Sequence, residues 1–229
     1  MVCAILGRGQ SLKKYTDYCD KIDKVYIVND FNNELETIGT ECFEGKRLNH
    51  VVGRGPNQLK ASWYKKLGLN KVICNSFVKS DFKNTYPVKI KYLDDEMLNC
   101  GYPPVGMENI QKLMEKCDSY KELIDLLDRK IKKGKLQLRH KKRRAWPTTA
   151  FVALDVCLVK DKPEKVYLFG IDFYRNNYMT KKNRTHQTSD WYKSKAMMTH
   201  LNFIVKLYDQ VDFYSSYSLD WDLDNWYNI

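Results

Sequence analysis

The sequence predicts a single Rossmann-like α/β domain over residues 1–229, a mostly parallel sheet flanked by helices. Three observations carry this. Val2 to Leu6 and Val166 to Phe169 are short, wholly apolar runs, as expected of strands buried on both faces of a parallel sheet. Each run ends in a glycine turn, Gly7-Arg8-Gly9 after the first and Gly170-Ile171-Asp172 after the second. Phe151 to Val159 is apolar on most faces, which suits a helix packed against that sheet.

In chain order, Gly7 to Leu12 is a tight turn leading into a helix. Its glycines would allow close approach of a phosphate, and the helix start would supply N–H donors. A plain turn between strand and helix fits these residues equally well. Val25 to Val28 reads as the second strand and ends at Asn29-Asp30, where an Asn can also end a strand by bonding its own backbone. Leu48 to Val52 is a third strand. Gly53 to Asn57 follows as a second glycine turn, then a helix over Gln58 to Leu67. Lys71 to Cys74 and Val88 to Tyr92 read as further strands, and Met107 to Lys133 supplies two helices. Pro147 suits a first helical position, with Thr148 or Thr149 near the cap of the Phe151–Val159 helix. Residues 175–189 are polar and without helical period, placed as a lid over the strand end. Met197, Leu201, Ile204 and Tyr208 then give a C-terminal helix, Val211 to Tyr214 an edge strand, and Asp220 to Ile229 a tail folded back on the body.

Composition narrows the class. A hydrophobic content of 43% with 16 Tyr and 5 Trp argues for a packed core. No apolar run has membrane-spanning length, and seven irregularly spaced cysteines suit free thiols in a reducing, cytoplasmic setting. The Lys, Asn, Tyr and Ile bias suits an AT-rich genome such as a virus's. No CxxC pair, His/Cys cluster or DxD pattern marks a metal site; Asp94 to Glu96 lacks the spacing. The net charge of +11 suits an anionic partner, and it would also serve solubility alone. Much of it lies in the basic segment 130–144, which holds nine Lys and Arg residues, Lys141, Lys142, Arg143 and Arg144 among them, and no acid. A one-signed strip of that length can track phosphates.

Four histidines could supply acid–base chemistry. His200 on the last helix and His50 in a strand read as packed residues, and His140 sits among cations that disfavour its protonation. His186 lies in the polar loop, with Asp190 four residues on to orient the imidazole, so it is the candidate general base.

The Gly170-Ile171-Asp172-Phe173-Tyr174 stretch after an apolar strand, with Pro147-Thr148-Thr149-Ala150 one helix upstream, resembles the sialyltransferases, above all the bacterial lipooligosaccharide enzymes. The likeness extends to the first glycine turn followed by Ser-Leu, to Asn29 and to His186, and thins out between Glu34 and Arg144. It implies a GT-A-variant glycosyltransferase that inverts the anomeric centre, needs no metal and takes a cytidine monophosphate (CMP) sugar as donor. Donor-binding residues would be Gly7, Arg8, Gly9, Ser11, Asn29, Thr148, Thr149, Gly170 and Asp172. His186 would deprotonate the acceptor hydroxyl, Tyr174 would hydrogen-bond the departing phosphate, and Tyr178 would assist. The chain departs from the family pattern at Arg8, where the family has Asn. Tyr178 stands four residues after Tyr174 instead of six, Trp191 sits where the family places an acid, and the lid is shorter. The basic strip leads into Trp146-Pro147-Thr148, which points to a polyanionic acceptor: DNA bearing hydroxymethylated bases, or an acidic glycan. A methyltransferase with Asp30 on a ribose, or a non-catalytic nucleic-acid or glycan binder, would use the same scaffold.

Overall fold

The computed structural model describes residues 1–52, 59–75, 88–93, 116, 126, 129, 148–173, 175, 179 and 190–229, with the backbone alone at 75, 89–93, 190–196 and 199. Its strands are β1 (Val2–Leu6), β2 (Lys24–Val28), β3 (Arg47–Val52), β4 (Lys71–Asn75), β5 (Lys89–Leu93), β6 (Lys165–Phe169), β7 (Asp212–Ser215) and β8 (Trp226–Asn228). They form one eight-stranded sheet in the order β5-β4-β3-β2-β1-β6-β7-β8, with every pairing parallel. Helices α1 (Asn32–Ile38), α2 (Ala61–Lys66), α3 (Thr149–Val156) and α4 (Asp190–Leu207) flank it. The architecture is therefore the parallel, Rossmann-like α/β type that the apolar runs predict.

Alternation along each central strand divides the core. Cys3, Ile5, Val166 and Leu168 face α3 and α4, whereas Ala4, Leu6, Tyr167 and Phe169 face Leu12, Tyr15, Leu35 and Tyr64. Both sets are buried, which is why these strands read as unbroken apolar runs. α3 likewise buries residues on every face, being enclosed by the sheet and the rest of that core.

Several elements differ from expectation. The helix expected after the first glycine turn is of the 3-10 type, Gln10–Asp17. Helix α3 stops at Val156 and continues as a π-helical turn, Cys157–Asp161, closed by Lys162 in the left-handed region. β7 is not the edge, because the tail adds β8 outside it. Asn225 makes that possible: its amide donates to the carbonyls of Val205, Tyr208 and Val211, tying the tail to the end of α4. Most of the Met107–Lys133 helices, the basic segment and the lid lie outside the described residues.

Strands β1 to β5 step outward on one side of β1, and β6 to β8 step outward on the other. The order reverses between β1 and β6, and open α/β sheets bind ligands beyond the carboxyl ends of strands at such a reversal.

Candidate functional site

At that reversal the two glycine turns are zipped together. Gly7 N–H donates to Phe169 O at 2.7 Å and Gly9 N–H to Gly170 O at 2.8 Å, carrying the β1–β6 ladder past the strands. The backbones approach so closely that a Cβ on Gly7 would lie 2.3 Å from the Gly170 carbonyl oxygen. A Cβ on Gly170, whose φ is +67°, would lie 2.5 Å from the Gly7 oxygen. Packing of one turn on the other thus already requires glycine at both positions.

Ser11 and Asp172 lock this seam. The buried Asp172 carboxylate accepts the Ser11 hydroxyl proton and, at 3.2 Å, the Ser11 N–H. Ser11 Oγ in turn accepts Gly170 N–H at 3.1 Å and lies 2.9 Å from the Ser216 hydroxyl, itself 3.1 Å from Leu168 O. Gly9 has no room for a side chain, since its Cβ would sit 2.4 Å from the Asp172 carboxyl carbon. The start of the 3-10 helix is an anion seat, and the chain's own carboxylate occupies it.

Beside the seam, Arg8 Nε pairs with Glu34 Oε1 at 3.1 Å, with Glu34 fully buried in the first turn of α1. The cation expected to meet the donor is thus held towards α1. At the end of β2, Asn29 adopts a left-handed φ of 56° and its N–H donates to Val51 O. Its carbonyl lies 2.7 Å from His50 Nε2, and the Tyr64 hydroxyl lies 2.9 Å from Nδ1. A carbonyl only accepts, so Nε2 carries the proton and Nδ1 accepts from Tyr64. Burial pushes the His50 pKa down to about 4, which keeps the ring neutral at physiological pH.

Helix α3 ends, through the π-helical turn, at Asp161, which bonds the first residue of β2 (Lys24) at the amino edge of the sheet. Its amino end therefore points to the carboxyl edge, where the glycine turns are. Thr148 is the cap residue there. Its carbonyl accepts Phe151 N–H and Val152 N–H, but its side chain makes no capping bond. Thr148 Oγ1 is buried and has no hydrogen-bond partner among the described residues.

Beyond Gly170, Arg175 N–H donates to Asp172 O at 2.8 Å and Met179 N–H to Arg8 O at 2.9 Å. These anchors flank Tyr174 and Tyr178 in sequence. Tyr174, Tyr178, His186, Lys141, Lys142, Arg143 and Arg144 lie outside the described residues. Of the expected donor set, the fold joins Gly7, Gly9 and Ser11 to Gly170 and Asp172, keeps Arg8 alongside, and sets Asn29, Thr148 and Thr149 at the same edge. Glu34, Tyr64 and Ser216 were not anticipated. Glu34 holds Arg8 and Ser216 holds Ser11, while Tyr64 reaches Asn29 only through His50, and no local pattern announces that. Among the described residues, the side chains able to hold a metal ion together, Cys3, Cys157 and Asp161, lie at the opposite edge.

No protein-family model matches the sequence, and no curated protein does. Among solved structures, the sialyltransferase CstII from Campylobacter jejuni in complex with a substrate analogue, cytidine-5'-monophosphate, aligns over 94% of this chain and 79% of that chain. The identity is 14% and the TM-score 0.36, so the architecture described above rests on its own topology.

Proposed function

We propose that the protein is a metal-independent, inverting glycosyltransferase that moves a sugar from a CMP-sugar to a hydroxyl of an anionic acceptor, DNA or an acidic glycan. The observation that carries the reading is the reversal of strand order at the seam of Gly7–Ser11 with Gly170–Phe173, with the side-chain-uncapped amino end of α3 at the same edge of the sheet. The resemblance of the 170–174 stretch to sialyltransferases supplies the chemistry. Because Asp172 fills the seat at Ser11, the donor phosphate is assigned to Thr148 and Thr149, where first-turn N–H groups and a helix dipole favour negative charge. Tyr174, assisted by Tyr178, would donate to the departing phosphate as its charge grows. His186 would take the acceptor proton, and Lys141 to Arg144 would hold the acceptor.

Thr148→Val tests the assignment. The hydroxyl has no hydrogen-bond partner among the described residues, so its loss should leave stability unchanged or slightly higher. Binding of cytidine monophosphate, measured by titration calorimetry with chelator present, should weaken by about 10-fold or more, the worth of one hydrogen bond to a charged group. Unchanged affinity in Thr148→Val would remove the phosphate from α3. Binding of uridine diphosphate sugars only, and only with manganese, would overturn the donor class. His186→Ala should retain donor binding and lose transfer by about a hundred- to ten-thousandfold.

A further inference from the structure

At the amino edge of the sheet, opposite the candidate site, two thiols and a carboxylate from distant parts of the chain converge. Cys3 belongs to β1, and Cys157 and Asp161 are the first and last residues of the π-helical turn. Both thiols are fully buried, the Asp161 side chain is 13% exposed, and the donor atoms of all three lie within 4.8 Å of one another. We propose that Cys3, Cys157 and Asp161 form a structural site for a thiophilic divalent cation such as zinc.

The geometry is close to what such an ion requires. A tetrahedral zinc with bonds of about 2.3 Å to sulfur holds its sulfurs ~3.8 Å apart, so the observed spacing needs to contract by about 1 Å at most. Two thiolates and one carboxylate form a borderline-soft donor set, which selects zinc over magnesium or calcium, with water in the fourth position. The carboxylate already has the outer partners a metal ligand uses. Tyr26 donates its hydroxyl to Asp161 Oδ2, and Lys24 Nζ lies 2.7 Å from Oδ1.

Charge favours the same conclusion. Two thiolates, Asp161, Lys24 and a divalent cation sum to zero. Simple core packing accounts for two neighbouring thiols but does not call for a carboxylate beside them. The left-handed Lys162 and the buried Pro163 end the π-helical turn just after Asp161, fixing its position.

The full chain, stripped with chelator under reducing conditions and titrated with cadmium, tests this. One ion per chain should bind with a sulfur-to-cadmium ultraviolet band, and zinc should displace it. Cys3→Ser or Cys157→Ser should each weaken uptake ~100-fold or more, since loss of an outer-shell partner alone costs about 10- to 100-fold. Tyr26→Phe should fall in that outer-shell range, while Cys19→Ser and Cys42→Ser should bind as the wild type does. Because a buried Cys→Ser change can prevent folding, X-ray absorption on the zinc-loaded wild type gives an independent reading: two sulfur neighbours at about 2.3 Å. Absence of saturable uptake by the wild type, a zinc shell without two sulfurs, or full retention of the band in folded Cys3→Ser and Cys157→Ser would each overturn the site.

Discussion

Lowering the pH from 7 to 5 should destabilise this protein by about 4 kcal/mol through two buried histidines. His50 and His200 are essentially inaccessible, and burial depresses their pKa values to about 4 and about 3. In the unfolded chain both return to about 6.5, so below that pH the unfolded state takes up protons that the folded state refuses. A depressed folded-state pKa on a base therefore means stability that is complete above the unfolded value and lost as the pH falls towards the folded one. At pH 5 each histidine is about 1.5 pH units into this window, at ~1.4 kcal/mol per unit, or about 2 kcal/mol each. Against a typical total of about 5–15 kcal/mol the loss is large. Urea unfolding at pH 7 and pH 5, at constant ionic strength, measures it. His50→Gln and His200→Gln should each remove about half of the pH dependence, which separates the histidines from carboxylates beginning to titrate. Equal wild-type stability at the two pH values, or variants that keep the full wild-type dependence, would refute the reasoning.

Three further outcomes follow from the packing. Gly170→Ala combines a left-handed residue, about 1–2 kcal/mol, with a Cβ 2.5 Å from the Gly7 oxygen, about 1–3 kcal/mol more; a urea midpoint near wild type would contradict the seam. Glu34→Gln should cost about 3–5 kcal/mol by depriving Arg8 of its buried countercharge, whereas Arg8→Met with Glu34→Leu should recover most of that in a double-mutant cycle. Asn225→Ala should lower stability by about 1–3 kcal/mol, because carbonyls at Val205, Tyr208 and Val211 lose their donor, and hydrogen exchange should quicken in β8.

The sheet was legible because burial on both faces writes itself as uninterrupted apolar runs, and Val2–Leu6 and Val166–Phe169 show it without ambiguity. The helix after Gly9 was legible but its 3-10 type was not, because its apolar spacing, Leu12 and Tyr15, suits either kind of helix. Strand β8 was missed since Asp220 to Asp224 reads as an acidic tail, and nothing local shows that Asn225 will fasten Trp226–Asn228 to β7. At the candidate site, Gly7, Gly9 and Gly170 were visible as glycine turns, but their requirement comes from each other's backbones. Asp172 was assigned to the donor, and its contact with Ser11 depends on two segments 161 residues apart meeting. The Cys3, Cys157 and Asp161 cluster was hidden for the same reason: Cys157 and Asp161 share the π-helical turn, but Cys3 comes to them from β1.

Because β1 lies between β2 and β6, the first strand made needs one of the last as its neighbour. During synthesis one edge of Val2–Leu6 stays open until Lys165–Phe169 emerges, on the order of 10–30 s later at about 5–20 residues per second. Throughout that interval the nascent chain carries a strand with an unpaired edge and two apolar faces, a template for intermolecular pairing and a target for chaperones. Such long-range closure also slows folding. The turn at Gly7 to Ser11 is held by hydrogen bonds to β6 and the turn after it, so the proposed nucleotide binding would require β6, and a ribosome-bound fragment ending before residue 165 should show none.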